Sequence, residues 1–282
     1  MAIKHVFVIG AGTMGNGIAQ TAAVAGFEVT MMDVDAEALK RGQASIAKSV
    51  GKLAEKERIS AAQKDAALAI KTATDYTDTG QADLVIEAAT ENPDLKFKIF
   101  EEIDGLAKAE AILASNTSSI SLSKLAAATK RPEKVIGMHF FNPVPLMTLL
   151  EVVRGADTSD ETLEAALEVG EQMGKTAVVV KDSPGFISNR ILCPMINEAI
   201  FALDEGIADA EGIDTIMKLG MAHPMGPLTL ADLIGLDVVL YIMQVLHRDL
   251  GDDKYLPAPL LERMVAEGKL GRKSGEGFYK YK

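Results

Sequence analysis

The stretch His139-Phe-Phe-Asn142-Pro143-Val-Pro145-Leu-Met-Thr-Leu-Leu-Glu151 sets an imidazole and a carboxylate at the two ends of an apolar run stiffened by prolines. Proline fixes its own φ and biases the preceding residue towards extended backbone, so the connection is rigid. If the strand ending at His139 and the strand carrying Glu151 are neighbours, the imidazole reaches the carboxylate. A carboxylate on one ring nitrogen fixes the tautomer and raises the basicity of the other, which makes a general base. The spacing alone also fits a half-buried histidine and an unrelated strand glutamate.

A second constellation lies near the N-terminus. Gly10-Ala-Gly12-Thr-Met14-Gly15 follows an apolar strand at once and opens an amphipathic stretch, the context that a dinucleotide-binding G-x-G-x-x-G requires. Gly10 allows the tight turn, Gly12 lets the backbone approach a pyrophosphate, and Gly15 lets the helix pack closely on the sheet. Asp33 ends the second apolar run, where a carboxylate bonds the adenosine ribose hydroxyls. A 2′-phosphate would meet like charge there, with Asp35 close by and no adjacent arginine, so the pattern favours NAD over NADP. With a nicotinamide cofactor present, the His139–Glu151 pair suits removal of an alcohol proton while hydride leaves the same carbon.

The elements that must position these groups follow from apolar periodicity. Residues 6–10, 28–33, 82–88, 111–116, 134–139, 149–153 and 176–180 read as strands, and their continuous apolar character suits a parallel sheet covered on both faces. Helical patterns over 35–57 and 94–108 alternate with them, which implies a doubly wound, mostly parallel Rossmann-like sheet. Ligands in such sheets bind beyond the carboxyl ends of the strands. Glu87 with Glu91 and Asn92, the run Ser115 to Ser119, and His139 all stand at those ends. At Lys181-Asp-Ser183-Pro184-Gly-Phe186 the texture changes: Ser183 reads as an N-cap with Pro184 at the first helical position. Beyond it the strand signals almost vanish. The expected organisation is an α/β domain over 1–183 and an all-helical domain over 184–282, with one long helix bent at Pro194 and another long helical stretch over 228–250.

Composition narrows the function classes. At 282 residues with 48% hydrophobic side chains and a mean hydropathy of +0.13, two domains with substantial cores are expected. Cys193 is the single cysteine, so no internal disulfide or cysteine-rich zinc site exists, which fits a reducing cytoplasm. The four histidines show no metal-ligand spacing. A formal charge of −11 argues against nucleic acid or an anionic membrane as the main partner. Glycines interrupt the first apolar run and no run is long enough to span a bilayer, so the expectation is a soluble protein.

GAGTMG, EAATEN, ASNTSSIS, GMHFFNPVPLM with LLEVV, KDSPGFISNR, HPMGPLTLADLIGLD and GRKSGEGFYKY occur in that order across essentially the whole chain. Together they make the chain resemble the 3-hydroxyacyl-CoA dehydrogenase family, especially its short bacterial branch. The resemblance implies NAD-dependent, reversible oxidation of a short-chain (S)-3-hydroxyacyl-CoA to the 3-oxoacyl-CoA. It implies His139 and Glu151 as the catalytic pair, with Ser118 and Asn189 bonding the 3-oxygen or its thioester neighbour. For NAD it implies Gly10, Gly12, Met14, Gly15 and Asp33, then Glu91, Lys96, Asn116, Ser118 and Asn142 near the ribose and nicotinamide, with Lys273 nearby. It also implies a homodimer formed through the helical domain. Asn189 falls early in the helix expected after Pro184, so the second domain would lend a group to the site made by the first.

Lys48, Lys52 and Lys56 recur on one face of the helix after Asp33. Such a face can hold the phosphates of coenzyme A, with Lys52 and Lys56 the favoured contacts, although Glu55 and Glu57 lie alongside and lysine stripes are commonly solvated. His223 and His247 read as structural. Two other functions share most of these features. One is an NAD-dependent dehydrogenase of a hydroxy or sugar acid without coenzyme A. The other is a non-catalytic NAD-binding relative, against which the intact set His139, Glu151, Ser118 and Asn189 argues.

Overall fold

The structure is a computed structural model and describes residues 2–281. The chain divides into two compact units, one ending at Asp182 and the other beginning at Ser183.

The first unit is built on an eight-stranded sheet. Its strands are β1 (His5–Ile9), β2 (Glu28–Met32), β3 (Lys71–Ala73), β4 (Leu84–Glu87), β5 (Ile112–Ser115), β6 (Val135–Phe140), β7 (Leu149–Arg154) and β8 (Thr176–Lys181). Their order across the sheet is β3-β2-β1-β4-β5-β6-β7-β8. Every ladder is parallel except β6 with β7, which is antiparallel. All residues of β1, β4, β5 and β6 are buried, as expected for strands covered on both faces.

The covering helices are α1 (Thr13–Val24), α2 (Ala36–Glu55), α3 (Ala61–Leu68), α4 (Pro93–Leu106), α5 (Leu122–Ala127) and α6 (Asp160–Gln172). Local chemistry starts most of them. Asp35 caps α2, Ser60 and Gln63 form a reciprocal capping box on α3, and Asn92 caps α4 with Pro93 at its first turn. Each cap satisfies an amide that the helix leaves without a partner. Val8, Met31, Ile86, Met138 and Val152 share one face of the sheet and are fully buried in the core with Ile18 of α1.

Three elements of this unit depart from the sequence expectation. The short strand β3 at the sheet edge was not expected, because its exposed Lys-Thr pair carries no apolar signal. Helix α6 fills the crossover between β7 and β8, whose parallel pairing requires one. Helix α3 was also not anticipated; its alanine-rich sequence has one buried residue, Ala67.

The second unit is helical: α7 (Ser188–Asp204), α8 (Ala210–Gly220), α9 (Pro227–Ile234), α10 (Leu236–Leu250) and α11 (Pro259–Ala266). Ile196, Ile200, Leu228, Leu236, Val239 and Leu261 are completely buried in its core. Two boundaries correct the sequence reading. Helix α7 begins at Ser188, not at Pro184, because Gly185 (φ +72°) and Phe186 (φ +50°) are left-handed and cannot continue a right-handed helix. Pro194 lies inside this helix, which continues to Asp204. The stretch 228–250 is two helices, since Gly235 at φ +105° breaks it and α9 and α10 turn by 97° relative to one another. Among the described residues no single helix is long and apolar enough to cross a membrane.

Candidate active site

The glycine loop joins the end of β1 to the start of α1. Gly10 at φ +101° donates its amide to the Met32 carbonyl at 2.7 Å. A Cβ on Gly15 would stand 1.8 Å from the Gly10 carbonyl oxygen, so only glycine allows α1 to seat this close. At Gly12 a Cβ would meet nothing within 4 Å, which leaves the backbone open to approach. Helix α1 has no side-chain cap and no acidic residue in its first turn, so its free amides and dipole present a ready anion site. Met14 lies in that turn. The Asp33 carboxylate accepts from the Ala11 amide at 2.8 Å and the Asp35 amide at 3.0 Å. It is thereby fixed beside the loop. Glycine cradle, uncapped helix start and fixed carboxylate together fit NAD.

Next along the sheet, β4 ends in Glu87, which is 0% exposed. Its carboxylate accepts from the Ala89 amide at 2.7 Å, the Lys96 ammonium at 2.7 and 2.9 Å, and the Ser115 hydroxyl at 2.7 Å. Lys96 itself is 1% exposed and stands 3.4 Å from Glu91. Glu91 gathers the loop after β5: its Oε1 accepts from the Thr117 hydroxyl at 2.5 Å, the Ser118 amide at 2.9 Å, the Ser119 amide at 3.1 Å and the Ser119 hydroxyl at 3.0 Å. Burial raises the pKa of Glu91, but the Lys96 charge and these hydrogen bonds outweigh it and hold the carboxyl below its ordinary value. Asn116 reaches further across, its Oδ1 accepting from the Phe140 amide at 2.9 Å.

The strand β6 then delivers His139. In the antiparallel ladder His139 stands opposite Glu151, and directly opposed residues share a face. The Nδ1 atom lies 2.8 Å from Glu151 Oε2, and the two side chains are 7% and 3% exposed. With Nδ1–H donating to the carboxylate, Nε2 is the nitrogen that carries the lone pair. The Phe141 ring leans on the imidazole at 4.6 Å and 49°. Asn142 is exposed at the start of the connecting loop, its bond to Pro143 cis. Lys175 ties down that loop by donating to the carbonyls of Val144 at 2.6 Å and Met147 at 2.7 Å. Burial depresses its pKa.

The remaining expected residues lie on other elements. Asn189 is the second residue of α7 in the other unit, its amide bonded to the Gly185 carbonyl at 3.1 Å. Lys273 pairs with Asp237 at 2.5 Å within that unit. Lys48, Lys52 and Lys56 are all exposed, with Lys56 just past the end of α2. A cavity of about 340 Å³ opens beside them, lined by Leu53, Arg58, Ile59, Leu146 and Met147 among others. His247 bonds Asp253 at 3.1 Å, and the His223 amide bonds the Met217 carbonyl.

Sequence reasoning did not pick out Phe141, Lys175 or the pairing of Glu87 with Lys96. For Glu87 a signal existed, a lone carboxylate closing the otherwise apolar LVIE. Among the described residues no group of three or more His, Cys, Asp or Glu is placed to hold a metal ion.

Comparison with known proteins agrees with this geometry. Residues 5–183 match the NAD-binding domain of 3-hydroxyacyl-CoA dehydrogenase, and residues 185–281 match the C-terminal domain of the same family. The chain is 57% identical over 274 residues to a probable 3-hydroxybutyryl-CoA dehydrogenase of Deinococcus radiodurans, covering 97% of this chain and 99% of that one. It is 54% identical over 281 residues to the 3-hydroxybutyryl-CoA dehydrogenase of Bradyrhizobium diazoefficiens, covering 99% and 96%. The crystal structure of (S)-3-hydroxybutyryl-CoA dehydrogenase PaaH1 from Ralstonia eutropha superposes with a TM-score of 0.96 at 55% identity, over 100% of both chains.

Proposed function

The chain belongs to the 3-hydroxyacyl-CoA dehydrogenase family, and from that footing we propose that it interconverts (S)-3-hydroxybutyryl-CoA and acetoacetyl-CoA with NAD. The observation that carries this reading is the buried His139–Glu151 contact, set beyond the same strand ends as the glycine loop. In the oxidation, His139 Nε2 takes the proton of the 3-hydroxyl, and Glu151 stabilises the imidazolium that forms. In the reduction the same nitrogen returns the proton to the 3-oxygen. NAD, when bound, accepts or returns the hydride at that carbon.

Ser118 and Asn189 are assigned to the 3-oxygen or the adjacent thioester carbonyl, where hydrogen bonds strengthen as negative charge develops. Gly10, Gly12, Met14, Gly15 and Asp33 are assigned to the dinucleotide, and Glu91, Lys96, Asn116, Asn142 and Lys273 to the surroundings of its ribose and nicotinamide. The buried Lys96 acts there through Glu91. Coenzyme A phosphates are assigned to Lys52 and Lys56, with Arg58 adding a cation at the mouth of the neighbouring cavity.

We also propose a homodimer through the second unit. Ile191, Ile207, Ile216, Leu219 and Met221 of that unit are exposed apolar side chains, of a kind that a partner commonly covers.

The test is NADH oxidation by the purified protein with acetoacetyl-CoA, run beside NADPH and free acetoacetate. Turnover with NADH and the thioester alone is the expected result. Equal turnover with free acetoacetate would refute the need for coenzyme A, and absence of turnover with the thioester would refute the reaction.

A further inference from the structure

Glu87 belongs to no role described so far, yet it is wholly buried and both of its carboxylate oxygens are bonded. Two limbs leave it. One runs through Lys96 to Glu91, and from Glu91 to the Thr117 hydroxyl and the amides of Ser118 and Ser119. The other runs through the Ser115 hydroxyl, which accepts from the Thr117 amide at 3.2 Å. The limbs rejoin at the 117–119 loop and close a ring of side chains around it.

The charges explain why a second carboxylate is needed. Lys96 is buried between Glu87 and Glu91, close to the first at 2.7 Å and standing off from the second at 3.4 Å. Without a charge at Glu87, the ammonium has one counter-ion left, and Coulomb attraction draws it onto Glu91. That motion pulls the Glu91 carboxylate away from the donors of the loop. A buried ammonium cannot turn to water instead.

We propose that Glu87 is a positioning residue which holds the Ser118 loop in place by keeping Lys96 off Glu91 and by orienting Ser115. Its bearing on catalysis rests on the role assigned to Ser118 above. Reacting groups displaced by an ångström lose on the order of 10²-fold in rate, so a looser loop lowers turnover more than cofactor affinity.

The test compares Glu87→Gln and Ser115→Ala with the parent, in the full-length protein. Glutamine keeps the shape of Glu87, offering its carbonyl to Ala89 and Lys96 and its amide to Ser115. For Glu87→Gln the expected results are exchange of the Thr117–Ser119 amides faster by about tenfold with β1 amides unchanged, and kcat for acetoacetyl-CoA lower by about tenfold or more. NADH binding weakens as well, because Lys96 and Glu91 are assigned to the ribose surroundings, but by less than kcat falls. Ser115→Ala, which cuts one limb, lies between. Unchanged loop exchange overturns the proposal, and so does faster exchange spread equally over β1, which marks a merely structural role. If Glu87→Gln does not fold, unchanged loop exchange in Ser115→Ala overturns it alone. Should the parent show no turnover, the reaction assignment fails while amide exchange still decides the role of Glu87.

Discussion

Replacing Glu151 by glutamine isolates the contribution of one charge, because the side chain keeps its size and its place opposite His139. The contact is 2.8 Å long and both groups are buried, so water cannot substitute for the lost carboxylate. A hydrogen bond to a charged group contributes about 1.5–3 kcal/mol and a neutral one about 0.5–1.5. Loss of the charge alone therefore costs the protonated imidazole roughly 1–1.5 kcal/mol, about tenfold in rate.

The amide adds a second effect. If its N–H faces Nδ1, the proton moves to Nε2 and the ring can no longer accept from the substrate; the corresponding swap in a Ser-His-Asp triad costs about 10⁴-fold. Both amide orientations are populated, so the expected fall in kcat lies around 10²–10³-fold. Glu151→Asp keeps the charge but withdraws it by about 1.5 Å, and should fall less. The assay is NADH-dependent reduction of acetoacetyl-CoA at saturation, with NADH binding followed by its fluorescence. A Glu151→Gln enzyme within threefold of the parent in kcat, with NADH bound normally, would refute the dyad.

His139→Gln should lower turnover by about 10²–10⁴-fold, the usual scale for losing general acid–base help, with NADH affinity little changed; activity within twofold of the parent would exclude His139 as the base. Asp33→Ala removes partners of the ribose hydroxyls and of the Ala11 amide, so NAD should bind about 10–100-fold more weakly and discrimination against NADP should narrow; equal titration curves for variant and parent would contradict this. Cys193 is buried and its thiol is pushed up to about 12, so a thiol reagent should label it only on unfolding, and rapid labelling of the native protein near pH 8 would disprove the burial. Glu91 titrates below its ordinary value of 4.5. The stability that its ionised form contributes is thus fully present above about pH 4.5 and is lost as pH falls through the lower folded value. Protection of the Ser118 and Ser119 amides should persist at about pH 5 and collapse only in stronger acid; loss already at pH 5 would contradict the shift.

The strands that build the site were plain in the sequence because their burial on both faces writes them as unbroken apolar runs. Glycine spacing and the aspartate directly after β2 marked the cofactor loop, since only glycine tolerates the approach of α1 to Gly10. The antiparallel pairing of β6 with β7 was not written locally. Two prolines announced a rigid connection, but the register that sets His139 against Glu151 comes from the whole ladder. Helix α7 shows a different limit. Serine followed by proline is a sound start signal, yet two left-handed residues after it delay the helix to Ser188, and phenylalanine at such a φ carries no sequence mark. The lysine stripe was legible as a face of α2, whereas the cavity beside it depends on residues more than a hundred positions away, such as Lys175. Lys96 was marked only through the family resemblance, and its burial against Glu87 had no local sign in the sequence.

The antiparallel ladder has a consequence for how such an enzyme diversifies. His139 and Glu151 meet because backbone bonds on either side of them fix their register, not because the intervening segment has a particular length or composition. A slip of one residue would turn Glu151 to the opposite face, so selection on the sheet alone preserves the pair. In the connecting segment Phe141 packs on the imidazole and the backbone at Val144 and Met147 meets Lys175, so the weaker constraint falls on the exposed side chains of its tip. Its exposed Leu146 and Met147 can therefore be exchanged without disturbing the proton-transfer machinery. Descendants of one ancestor are free to rework this rim for new substrates while inheriting the chemistry intact.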